Sequence, residues 1–128
     1  MALKYLLDTS VLLAAFWQSQ QEHQRVNTWL TGKEVATCSI TEIGFLRISV
    51  QPKGPFQASM PEAILALDSL IKRFGSKVIP DDLTGTETPR TASHNTIGDF
   101  HLAELAHRSG MKLATLDTRI KHPAVVVI

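Results

Sequence analysis

Four acidic residues of this chain, Asp8, Glu42, Asp99 and Asp117, stand where a strand ends or a helix begins. Asp8 closes the apolar run Leu3-Lys4-Tyr5-Leu6-Leu7, and Asp117 closes Leu113-Ala114-Thr115-Leu116. Glu42 and Asp99 each open a segment of helical periodicity. In an open α/β sheet such junctions gather along one edge, at the carboxyl ends of the strands, where sites form. Carboxylates brought together there repel one another unless a divalent cation is present. Oxygen ligands favour Mg²⁺ or Mn²⁺ over zinc, which prefers histidine and cysteine. Such an ion bridges carboxylates to phosphates and activates a bound water, so the chemistry in view is hydrolysis of a phosphodiester.

The elements that must position these acids are legible from periodicity. Leu3 to Leu7 is an apolar run too short for a helix, and Asp8, Thr9 and Ser10 are all competent caps for a helix through Phe16. A second helix is expected from Gln21 to Leu30, stopped at Gly32. Val35 to Cys38 reads as the next strand, and Ser39 opens a helix to about Val50. After the breakers Pro52, Gly54 and Pro55, Pro61 fits the first turn of a helix whose stripe is Ile64, Leu65, Leu67, Leu70, Ile71 and Phe74, ending at Gly75. Val78-Ile79 is a short strand candidate. Residues 81–95 lack apolar periodicity and read as a loop able to hide a short helix. Asp99 is expected to cap a helix ending near Gly110, and strands follow at 112–116 and 124–128. Strands alternating with helices imply a mostly parallel sheet covered on both faces, an α/β fold in one domain spanning residues 1–128.

Composition sets the outer bounds. With 128 residues, 44% hydrophobic and 20% charged, the chain is long enough to bury a core and is ordinary in make-up. A formal net charge of +1 leaves a nucleic-acid partner open, since a local basic patch suffices. The single cysteine, Cys38, lies in an apolar run and reads as a buried structural thiol. The residues Met1 to Lys4 lack the basic and apolar regions of a signal peptide. No stretch approaches the about 18 consecutive apolar residues of a membrane span. A soluble cytoplasmic protein is the expectation.

Each acid also has a plain structural role available. Asp8 and Asp99 suit N-caps, Ser39-Ile40-Thr41-Glu42 has the form of a capping box, and Asp117 can initiate a turn. Taken together, the acids say more than they do singly, because right-handed crossovers put the strand ends on one edge. Thr115 and Asp117, two apart, face one side of a strand, and Ser10 can support Asp8 as a hydrogen-bond donor. A phosphatase of the haloacid-dehalogenase type needs a second acid two residues after the first, where this chain has Ser10.

At these residues the chain resembles the PIN domain nucleases, and within them the VapC-type toxins of toxin–antitoxin pairs. The matching segments are Leu6-Leu7-Asp8-Thr9-Ser10-Val11-Leu12, Ile40-Thr41-Glu42-Ile43-Gly44-Phe45-Leu46-Arg47, Gly98-Asp99-Phe100-His101-Leu102-Ala103-Glu104-Leu105-Ala106 and Leu113-Ala114-Thr115-Leu116-Asp117, in the family's order. The resemblance implies a three-layer α/β/α sandwich and a Mg²⁺- or Mn²⁺-dependent endoribonuclease leaving a 5′-phosphate and a 3′-hydroxyl. It implies that Asp8, Glu42, Asp99 and Asp117 form the catalytic and metal-binding quartet, with Asp8 and Asp99 as direct ligands. Glu42 would bind metal or orient the attacking water; Asp117 would ligate through water or complete a second metal position. Thr115 matches the small hydroxyl residue beside the last acid. A homodimer and a VapB-like antitoxin whose tail blocks the site are also implied. The alternative is a catalytically silent PIN scaffold that binds RNA or protein.

Basic residues complete the reading. Arg47, Arg90 and Arg119 are candidate contacts for RNA phosphate or an antitoxin carboxylate. Arg90, His94, Arg119, Lys121 and His122 flank the last two acids and could rim the site. His23 is expected to pack or hydrogen-bond, and His94, His101, His107 and His122 to be surface groups. Trp17, Trp29 and Phe45 are expected in the core or a dimer interface.

Overall fold

The computed structural model describes residues 3–128. In chain order the elements are β1 (Lys4–Leu7), α1 (Thr9–Phe16), α2 (His23–Leu30), β2 (Glu34–Thr37), α3 (Ser39–Val50), α4 (Met60–Phe74), β3 (Lys77–Val78), a 3₁₀ turn (Gly85–Glu87), α5 (Ile97–Arg108), β4 (Lys112–Thr115) and β5 (Val125–Val127). The strands form one parallel five-stranded sheet in the order β3-β2-β1-β4-β5. The chain lays down β1, β2 and β3 outward in one direction, then returns to add β4 on the other side of β1. That reversal is a topological switch point, the place where an open α/β sheet leaves a crevice at its carboxyl edge.

Alternation along the strands divides the core into two. Tyr5, Leu7, Val35 and Ala114 pack with α1 to α4 on one face. Leu6, Cys38 and Leu113 face Leu102, Ala103, Leu105 and Ala106 of α5 on the other. The result is the expected three-layer α/β/α sandwich, with four helices on one side and one on the other. The central strands β1 and β4 are apolar on both faces at Leu6, Leu7, Leu113 and Ala114, all fully buried.

Local chemistry sets most boundaries. Ser59 and Glu62 form a reciprocal capping box at the start of α4, Pro61 lies in its first turn, and Gly75, at φ +59°, closes it in the left-handed region. The buried stripe of α4 is Ala63, Ala66, Leu67 and Leu70, with Ile71 and Phe74 half-buried. Ile64 and Leu65, expected in that stripe, are exposed. The i, i+3, i+4 series from Ala63 leaves them on the opposite side of the helix. Helical spacing, rather than side-chain size, selects the buried alanines.

Other boundaries differ from expectation by a residue or two: α2 begins at His23, β2 runs from Glu34 to Thr37, and β4 ends at Thr115. The segment 81–95 holds a short helical turn at Gly85–Glu87, as expected of a loop able to hide one. Trp17 stacks on Phe56 and gives its indole N–H to Ser49 Oγ at 3.0 Å, while Phe45 is fully buried. No helix among the described residues is long and apolar enough to cross a membrane.

Candidate active site

Asp8 is the first residue past β1, on the central strand, and its N–H continues the ladder to Ala114 O at 3.1 Å. It also caps α1: its Oδ1 accepts the Val11 N–H at 3.0 Å. Two hydroxyls complete its surroundings. Ser10 Oγ donates to Oδ1 at 2.6 Å, and Thr115 Oγ1 donates to Oδ2. Each hydroxyl also accepts a backbone N–H from the segment leaving β4, Ser10 from Leu116 at 3.3 Å and Thr115 from Asp117 at 3.0 Å. One pair of hydroxyls therefore orients Asp8 and, in the same act, fixes the backbone that presents Asp117.

Asp8 is only 6% exposed. Burial pushes its carboxyl above the ordinary carboxylate range, against the pull of Ser10, Thr115 and the Val11 N–H, and the charge of Asp117 adds to the rise. Asp99 reaches the same place from α5. It is the third helical residue rather than the cap, which is Thr96, because the helix starts two residues before it at Ile97. Half-buried, Asp99 is also pushed up, by burial first and then by the charges of Asp117 and Asp8. Asp117 goes the other way. Its carboxylate accepts Arg119 Nε at 3.0 Å, Nη2 at 2.8 Å and the Arg119 N–H at 2.8 Å, and these bonds hold it below the usual range.

Glu42 comes from a different element. It is the fourth residue of α3, and its Oε2 accepts a hydrogen bond from Thr37 Oγ1 at 2.5 Å. The expected Ser39–Glu42 capping box is absent: Cys38 is the N-cap, and Thr41 Oγ1 accepts the Cys38 N–H at 3.2 Å. Strand alternation sets the side on which each strand-end hydroxyl lies. Leu6 and Leu113 face α5, so Asp8 and Thr115, two residues on, share that side, whereas Thr37 follows Val35 toward α1–α4. Thr37 was missed in the sequence, although it ends β2 as Thr115 ends β4.

The basic and imidazole groups fall into two sets. Arg47 and Arg90 are exposed, the first in the last turn of α3. Arg119 is engaged with Asp117, as above. His23 Nδ1 lies 2.7 Å from Ala14 O, the hydrogen-bonding role expected of it. His101 and His122 are not free surface groups: His101 pairs with Asp81 at 2.6 Å, and His122 lies 3.3 Å from Glu104 Oε2. With Arg108 on Glu87 at 2.7 Å, the Asp81 contact fastens residues 81–95 to the helix that carries Asp99. His122 is thereby removed from the expected basic rim.

Among the described residues, no three of His, Cys, Asp and Glu form a ready-made metal cage. The donor set nonetheless suits a hard cation. The charges of Asp8 and Asp117 oppose ionisation of Asp99, that of Asp117 opposes ionisation of Asp8, and the side chains bonded to Asp8 are hydroxyls rather than imidazole or thiolate. Mg²⁺ needs only one or two protein carboxylates, keeping several waters.

A model of the PIN domain matches residues 5–126. Ribonuclease VapC38 of Mycobacterium tuberculosis is 34% identical over 121 residues, covering 90% of this chain and 86% of that protein. Ribonuclease VapC39 from the same species is 33% identical, covering 93% and 92%. The chain belongs to the PIN-domain family, among the VapC proteins. The crystal structure of VapBC2 from Rickettsia felis, bound to a DNA fragment from its promoter, shares the PIN fold with this chain at a TM-score of 0.65. At 18% identity over 98% of both chains, that likeness concerns the fold. For a PIN domain, the acids at the β1–β4 crevice are thus the natural place to seek its chemistry.

Proposed function

We propose that this PIN domain, one unit across residues 1–128, is a divalent-cation-dependent endoribonuclease and the toxin of a VapBC-type pair, working in the cytoplasm. The observation that carries the reading is a buried carboxylate, Asp8, at the topological switch point, overlooked by Asp99 and Asp117, with burial and mutual repulsion opposing ionisation of Asp8 and Asp99. Asp8 and Asp99 would be the direct holders of Mg²⁺ or Mn²⁺, and Asp117 would contribute through water or at a second position. When bound, the cation supplies an activated water and offsets charge on the phosphoryl oxygens.

The chain's own residues do the rest. Ser10 and Thr115 orient Asp8 by donating to both its oxygens. Glu42, aimed by Thr37, orients the attacking water. Arg47, Arg90 and Arg119 offer guanidinium groups to the RNA backbone, which fixes register without reading sequence. The product carries a 5′-phosphate and a 3′-hydroxyl. The names of the M. tuberculosis relatives support the ribonuclease reading, and the VapBC2 assembly supports a VapB-like antitoxin as partner. A homodimer is the proposed assembly.

The test is RNA cleavage with Mg²⁺ or Mn²⁺, with and without chelator. Asp8→Asn and Asp99→Asn are expected to lower cleavage by about 10²-fold or more with the fold intact, as loss of a group stabilising transition-state charge does. Wild-type cleavage by both variants would remove this mechanism. RNA binding with no chelator-sensitive cleavage would favour a silent PIN scaffold instead.

A further inference from the structure

Arg119 stands at the rim of the crevice, its side chain 69% exposed, where a solvated guanidinium has every direction open to it. It turns back on the residue two before it. Nε meets Asp117 Oδ1 at 3.0 Å, Nη2 meets Oδ2 at 2.8 Å, and its own N–H takes Oδ1 at 2.8 Å. Three donors of one residue thus cover both oxygens of a carboxylate that is itself only 22% exposed. The planar fork matches a carboxylate in two parallel bonds, a geometry that lysine could not supply.

With a fork that spans both oxygens, the guanidinium performs at Asp117 the electrostatic task that a bound divalent ion would perform there. The two cannot share Asp117 freely, because they repel each other and seek the same lone pairs.

We infer that Arg119 is a built-in counter-ion of the acidic site, competing with the divalent cation for Asp117 and released from it as the cation binds. The inference rests on the cation-dependent reading given above. It makes Arg119 a positioning residue that sets how much cation is needed to fill the site. Released, its guanidinium remains at the rim on two residues of tether. The rival is an ordinary exposed ion pair, which contributes little to anything measurable.

Calorimetric titration of the full chain with Mn²⁺ separates the two. Arg119→Gln is expected to bind Mn²⁺ about fivefold or more tightly than wild type, the scale of a modest coupling between competing ligands. Lys53→Gln removes an exposed cation in the loop after α3 and is expected to stay within about twofold of wild type, as distant sites do. A second readout needs no metal. In chelator, Arg119→Gln is expected to lower Tm, and adding Asp117→Asn to restore it, because the uncompensated carboxylate is then gone. Equal Mn²⁺ affinity in wild type and Arg119→Gln, or weaker binding by the variant, overturns the counter-ion role while leaving the metal site standing. If neither protein binds Mn²⁺, the metal reading falls and takes this inference with it.

Discussion

Asp8 is the N-cap of α1, the acceptor of two side-chain hydroxyls and a carboxylate that burial disfavours in its charged form. The first two properties stabilise the fold, and the third opposes them. Because its folded pKa lies above the unfolded one, the native state binds more protons over that interval. The associated stability is complete below the ordinary carboxylate range and is lost as pH rises through the raised value. In chelator at neutral pH, Asp8→Asn, which keeps the cap, is expected to raise Tm by about 3 °C or more. The gain should vanish at acid pH, where wild type is protonated; thermal scans from pH 4 to 8 check both. Asp117 has the opposite sign: its depressed pKa gives stability present above the ordinary range and lost as pH falls. Thr115 is the more exacting test of the hydroxyl pair. Thr115→Val keeps the shape but leaves Asp8 Oδ2 without its donor and the Asp117 N–H without its acceptor. It is expected to cost about 1–3 kcal/mol in denaturant unfolding and to weaken Mn²⁺ binding.

At the scale of elements, the site depends on how closely α1 approaches α3. Gly44 sits on α3 where an added Cβ would clash with Thr9 Oγ1 and come within 3.2 Å of Thr9 Cγ2. Thr9 follows Asp8 directly and gives its hydroxyl to Thr41 O at 3.3 Å, so crowding at Gly44 is transmitted to the first turn of α1. Overpacking costs about 1–3 kcal/mol, against about 1 kcal/mol gained from helix propensity when glycine becomes alanine. Gly44→Ala is therefore expected to be destabilised by up to about 2 kcal/mol in urea unfolding. The double variant Thr9→Ala/Gly44→Ala is expected to recover most of the loss, and failure to recover would show that the contact is not the cause. The glycine was visible in the sequence, but its neighbour across the helix crossing was not. Helix boundaries tell the same story: Pro61 and Gly75 announced α4 by chemistry within a few residues. The cap of α5 was misplaced at Asp99 because Thr96 lies in a polar stretch offering several candidates.

For the molecule as a whole, a cation held by the proposed site would couple that site to stability. A ligand that binds only the folded chain raises its stability with the logarithm of concentration, by about 2.7 kcal/mol at a hundredfold excess over Kd. Mn²⁺ is accordingly expected to raise the Tm of wild type progressively and to leave that of Asp8→Asn unmoved; an equal rise in both would place the ion elsewhere. Strand–helix alternation, the parallel sheet and the order of the acids are legible in the amino-acid sequence, since periodicity, caps and breakers act over a few residues. Which acids meet depends on contacts between distant segments. Asp8 and Asp99 come together because β1 and β4 pair in register and α5 packs on the face toward which Asp8 and Thr115 point. Glu42 is bonded to Thr37 at the end of β2, and Asp117 is claimed by Arg119 because the turn after β4 brings that fork round. These outcomes depend on strand register and side-chain direction between segments far apart in the chain, and no local preference encodes them.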